Sequence, residues 1–198
     1  MAFKDNVWWT RKARIQAEKR LLSNAFQSQL LMLWYSFFGV AVSIYYLKID
    51  NSVSHNDLPG ISWVVYSVLT LCMSGFITGL SFKERAGLIK ECYEALSTFY
   101  QMANAENADI NLLSKEYERI LGLCENHTDC DYYLALCIEY ATSIDDKDQK
   151  TNLKKGLDRM PTWYHWFSIT YWIFRRYLLL TFLYFLPVLL FFGLESIK

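Results

Sequence analysis

The residues best suited to chemistry lie together near the middle of the chain. Cys124, His127, Cys130 and Cys137 carry ligand atoms of the kind that hold zinc. Structural zinc sites pair their ligands as C-x₂₋₄-C with H-x₃₋₅-H or a second close cysteine pair. Here C-x₂-H-x₂-C is followed by a six-residue gap, which suits helical core positions as well as it suits a metal. Free thiols beside a turn histidine are therefore expected, with no metal and no other cofactor. Glu125-Asn126-His127, with Asp131 shortly after, forms a second polar cluster. Asn126 can take left-handed backbone angles and close a helix. Glu125 and His127 can bond exposed helix ends or a neighbouring chain. A capping turn and a subunit or regulator interface both fit. The chain has no GxGxxG, P-loop, HExxH or GxSxG, so it is not expected to be an enzyme.

Two further sets of residues suit a membrane. Gly75-Phe76-Ile77-Thr78-Gly79 is a GxxxG, and Thr70, Ser74 and Thr78 recur every fourth residue beside it. Small residues let helices approach closely in lipid, where packing drives association. The stripe can close on the first span, on a second copy of the chain, or on a water-filled pore. Trp8, Trp9, Arg11 and Arg14 near the start, and Arg175 and Arg176 before the last apolar block, are the expected membrane anchors.

Charge is segregated along the chain. Hydrophobic residues make up 53% and charged residues 20%, with a net charge of zero. The balance gives no case for direct nucleic-acid binding. Three blocks lack charge, which is how membrane proteins are written. Residues 1–29 read as a basic amphipathic lead-in with Thr10 as a plausible N-cap, either resting at the headgroups or moving there as a gate. Residues 30–47 form the first transmembrane helix and 60–82 the second. Residues 83–158 form a helical domain, 159–176 an aromatic interfacial segment, and 177–194 a third span or a re-entrant hairpin. The spans carry no ionisable residue of the kind used by pumps.

The organising expectation is one unbroken helix that crosses the bilayer and runs on past Phe82, with Leu88, Cys92, Leu96, Phe99 and Ala103 on one face. Residues 105–108 read as a turn and Asp109 as the cap of a helix with Ile110, Leu113, Tyr117, Ile120, Leu121 and Cys124 on one face. Thr128 or Asp129 can cap the next helix, which carries Tyr133, Leu136, Cys137, Tyr140 and Ile144. Its five cysteines are expected to stay unpaired in a reducing compartment. The fold class is an all-α membrane protein: a transmembrane hairpin whose second span continues into a small cytoplasmic helical bundle, plus a C-terminal third transmembrane helix. Basic residues before the first span, after the second and before the third place the N-terminus and helical domain in the cytoplasm.

A basic helix, two closely spaced spans, a helix leaving the second, then Tyr117, Leu121 and Glu125-Asn126-His127 with Asp131 resemble the SLATT group. These are bacterial membrane effectors named for association with SMODS and SLOG proteins. The resemblance covers about residues 11–140. It implies an inner-membrane effector of anti-phage defence that acts by abortive infection. A partner such as a reverse transcriptase or nucleotide-signalling enzyme would switch it on. It would then form a homo-oligomer that opens a poorly selective pore or disrupts the membrane. The alternative is a non-conducting scaffold that tethers a cytoplasmic partner. The third apolar block departs from the two-span core and fits a subfamily with a C-terminal extension.

Overall fold

A computed structural model describes residues 3–49, 58–103, 110–144, 146, 153–154 and 157–196. Six helices follow in order: α1 (Phe3–Ile49), α2 (Leu58–Gly79), α3 (Phe82–Ala103), α4 (Ile110–Leu121), α5 (Asp129–Thr142) and α6 (Trp163–Ser196). No strand occurs among the described residues. The chain divides into a polar unit, Met1–Ser23 with Phe82–Phe174, and an apolar unit, Asn24–Ser81 with Arg175–Lys198. Three helices are long and apolar enough to cross a membrane, so the all-α, three-span class holds. The turn at 105–108, the cap at Asp109 and the loop residues 50–57 lie outside the described residues.

The polar unit is built on small residues. Ala13, Ala17 and Leu21 repeat every fourth position on α1 and are almost fully buried. Such a ridge lets a second helix approach closely. The second helix is α3, which presents Ala86, Ile89, Cys92, Leu96 and Phe99. Val7 packs with Phe99, and Leu21 packs with Ala86, so α1 and α3 run antiparallel. Leu113, Tyr117 and Ile120 of α4 close one end of this core. Two expected core positions face outward instead. Leu88 is 49% exposed because the buried stripe runs through Ile89, and Ile144 is 80% exposed because α5 ends at Thr142.

The lead-in is not a separate surface helix. α1 starts at Phe3 and runs unbroken into the first span. Thr10 is therefore no cap; its hydroxyl bonds Asn6 O within the helix and lies 2.9 Å from Tyr117 Oη. Trp9 is 2% exposed, and its indole N–H donates to Asp158 at 2.6 Å.

The unbroken rod is also corrected. α2 ends at Gly79 and α3 begins at Phe82. Leu80 N and Ser81 N donate to Ile77 O and Thr78 O at 3.2 Å, tightening the last turn. Ser81 then takes φ 45°, in the left-handed region. The sequence held the cause. Ser81-Phe82-Lys83-Glu84 is the S-x-x-E pattern of a helix start, while Gly79 itself stays helical and the left-handed position falls on Ser81. A left-handed serine costs about 1–2 kcal/mol, and glycine's freedom in the unfolded chain costs about 0.4–1 kcal/mol. Ser81→Gly should therefore stabilise by about 0.5–1 kcal/mol, seen as a higher melting temperature in detergent. Ser81→Ala should give no such gain.

In the apolar unit, Val42, Trp63 and Tyr66 are buried against Tyr35, Phe38, Tyr46, Phe191 and Leu194. Gly39 faces the Tyr66 ring, and a β-carbon there would sit in van der Waals contact with it at 3.5 Å. α6 passes straight through Pro187, so the re-entrant hairpin is not what forms. Proline has no N–H and strands the carbonyl four residues earlier, which in lipid must find another donor. That carbonyl is Leu183 O, and Tyr35 Oη donates to it at 2.9 Å. Trp34 Nε1 donates to the adjacent Tyr184 O at 3.0 Å.

Candidate functional site

The Glu125-Asn126-His127 segment is held from both sides within the polar unit. Upstream, the Arg85 guanidinium donates from Nε and Nη2 to Glu125 Oε2 at 3.0 and 2.5 Å. Downstream, Thr128 is the N-cap of α5 and Asp131 completes the capping box. Thr128 N and Oγ1 donate to Asp131 Oδ2 at 2.9 and 2.8 Å. Asp131 is 2% exposed and also accepts two bonds from Arg20, at 2.9 and 3.1 Å. Asn126 caps its own neighbour, its Oδ1 accepting from His127 N at 3.0 Å. Asp131 is buried and His127 half-buried, while Glu125, held by Arg85, and Asn126 both face solvent.

Arg14 lies at the centre of this region. It is 1% exposed, so it has no access to lipid headgroups, and the anchoring role expected for it fails. Its Nη1 donates to Cys92 Sγ and, at 2.8 Å, to Cys124 Sγ; its Nη2 donates to Leu121 O at 3.2 Å. Trp9 fails as an anchor for the same reason, being packed on Asp158. Trp8 and Arg11 are only half-buried, Arg175 is exposed, and Arg176 donates to Asn24 Oδ1 at 2.9 Å. Arg14's burial had a signal in the sequence: Val7, Arg14 and Leu21 are spaced by seven and share a helix face.

His127 reports on this core. Burial, with the Arg14 charge adding to it, holds its imidazole below the ordinary histidine value, while Asp131 and Asp129 oppose the shift. Its Nδ1 is sealed from solvent with no hydrogen-bond partner. The unfolded chain takes up this proton as pH falls through about 6.5, and the folded chain only at lower pH. The unfolded state binds more protons in that window, so acidification from neutral pH should destabilise the polar unit. Urea midpoints for the native chain should fall faster between about pH 7 and pH 5 than those of His127→Gln. Equal slopes would contradict this.

No group of three metal-binding side chains occurs among the described residues, and all five cysteines are unpaired thiols. Cys72 is exposed, Cys124 and Cys130 are half-buried, and Cys92 and Cys137 are buried.

In the apolar unit the hydroxyl and glycine residues separate. Thr70 and Ser74 line a groove of about 460 Å³ with Ser36 and Ser67, between α1 and α2. Thr70 and Thr78 donate to Tyr66 O and Ser74 O at 2.9 Å, so both hydroxyls are satisfied by their own helix. Gly75 and Gly79 have nothing within 4 Å of where a β-carbon would stand. Among the described residues the GxxxG therefore does not close on the first span, and Gly39 is the glycine that faces a neighbouring ring.

No curated protein and no solved structure matches this chain. A family match covers residues 2–193, wider than the resemblance seen in the sequence, and it takes in most of α6. The third apolar helix thus belongs to the family's own span. With apolar helices long enough for a bilayer, a helical polar unit and this near-complete match, the chain is a member of the SMODS and SLOG-associating 2TM effector domain family 5, a family of membrane effectors.

Proposed function

We propose that the protein is a triggered effector of bacterial anti-phage defence that compromises the inner membrane by self-association of its apolar unit. The observation that carries this reading is the GxxxG of α2. Its two glycines leave space on a membrane helix that no described residue fills. Small-residue faces of this kind serve close helix contact in lipid. The basic residues flanking the spans favour an N-terminus and polar unit in the cytoplasm, where a regulatory partner such as a reverse transcriptase or nucleotide-signalling enzyme would act. The exposed turn at Glu125 and Asn126, held in place by the buried Asp131, is the surface proposed to receive that signal.

The test is induction of the full chain with its partner present and active, read by a voltage-sensitive dye and by growth. The effector reading expects rapid depolarisation and arrest. Intact potential with stable partner capture at the membrane would overturn it in favour of a non-conducting scaffold.

A further inference from the structure

Arg14 is a buried cation with no carboxylate on it among the described residues. Its partners there are two sulfurs and a carbonyl. Burying a charge without an opposite charge is costly, and arginine cannot escape by losing its proton. Both sulfurs accept from the same nitrogen, Nη1, so Cys92 and Cys124 are neighbours although 32 positions separate them in the chain. The two thiols also interact with each other. Each remains free to donate: Cys92 Sγ to Ile120 O at 3.1 Å and Cys124 Sγ to Glu125 O at 3.4 Å. Cys92 is fully sealed on α3, whereas Cys124 is half-exposed on the turn that leads into Glu125-Asn126-His127. One accessible thiol, one sealed thiol and a shared cation form the layout of a peroxide-reactive cysteine with its resolving partner.

We propose that Cys124 and Cys92 form a reversible oxidation site for hydroperoxides, with Cys124 attacking and Cys92 resolving. A Cys124 thiolate would have the Arg14 guanidinium as its counter-ion at 2.8 Å. Its sulfur attacks the peroxide: an S–O bond forms, the O–O bond breaks, and water or an alcohol leaves with one proton. Cys92 sulfur then attacks the Cys124 sulfenic acid. The S–S bond forms, the S–O bond breaks, and the Cys92 proton leaves with the hydroxyl as a second water. Two thiols are oxidised and one hydroperoxide is reduced, which balances. Burial pushes Cys92 up to about 12, which disfavours its own attack on peroxide; in the resolving step its proton passes to the departing hydroxyl as the S–S bond forms. The bond would tie α3 to the turn that carries the motif.

The full chain in detergent, treated with hydrogen peroxide near stoichiometry, should lose two of its five alkylatable thiols and regain both with dithiothreitol. Peptide mapping should join Cys92 to Cys124 and leave Cys72, Cys130 and Cys137 free. In Cys92→Ser, dimedone should trap a sulfenic acid on Cys124; in Cys124→Ser, Cys92 should stay reduced. Unchanged helix content by circular dichroism establishes that each variant is folded. A link from Cys124 to Cys130 or Cys137, or oxidation at Cys72 with Cys92 and Cys124 untouched, would overturn the proposal.

Discussion

Asp131→Ala should lower the stability of the polar unit by about 3–5 kcal/mol, the range for removing one partner of a buried charge pair. Two losses coincide. The Arg20 fork, which donates from Nε and Nη2 at 2.9 and 3.1 Å, is left without an anion on a side chain only 19% exposed. The α5 cap loses the acceptor for Thr128 N and Thr128 Oγ1, and N-cap losses alone cost about 0.5–2 kcal/mol. The negative charge also sits in the first turn of α5, where the helix dipole favours it. Asp131→Asn keeps the shape and part of the cap but loses the charge, so it should fall between native and Ala. Arg20→Ala should also destabilise, because it strands Asp131, whose side chain is 3% exposed. The double variant should cost clearly less than the sum of the two. Strictly additive urea unfolding energies would show that the pair does not work as a unit.

The three spans were legible because charge is simply absent from them, and the cost of charge in lipid leaves little freedom there. The α5 cap was legible because Thr128 has the right side chain just before an apolar run. The break at Ser81 was missed for a physical reason. The left-handed position falls on Ser81, a residue type that rarely takes it, so only the S-x-x-E pattern of Ser81 and Glu84 marks the new start. The lead-in was missed because tryptophan and arginine are the side chains of headgroup anchors and also of buried polar cores. For Arg14, only the face it shares with Val7 and Leu21 separates the two. Arg14's partners were beyond reach, since Cys92 and Cys124 come from α3 and the turn after α4, and no periodicity on α1 names them. The carbonyl freed by Pro187 was foreseeable, but its donor, Tyr35, lies on another helix.

Gly75→Leu and Gly79→Leu should abolish triggered membrane damage while leaving the isolated chain as stable as the native one. A β-carbon at either position meets no atom within 4 Å, so nothing inside the chain has to move. At Gly75, in the exposed interior of α2, leucine should even gain roughly 0.5–1 kcal/mol over glycine. Between two copies the same side chain would hold the backbones apart, and packing is the main force that joins helices in lipid. Gly39→Leu supplies the contrast. Its β-carbon would already be in van der Waals contact with the Tyr66 ring at 3.5 Å, and the rest of the leucine side chain would crowd that ring. It should lower the melting temperature in detergent, by an overpacking cost of about 1–3 kcal/mol. The two glycine classes therefore separate association from folding. If Gly75→Leu and Gly79→Leu retain full toxicity at native melting temperature, the α2 face is not where copies of the chain meet. If they lose toxicity and also melt early, the loss reflects folding rather than association.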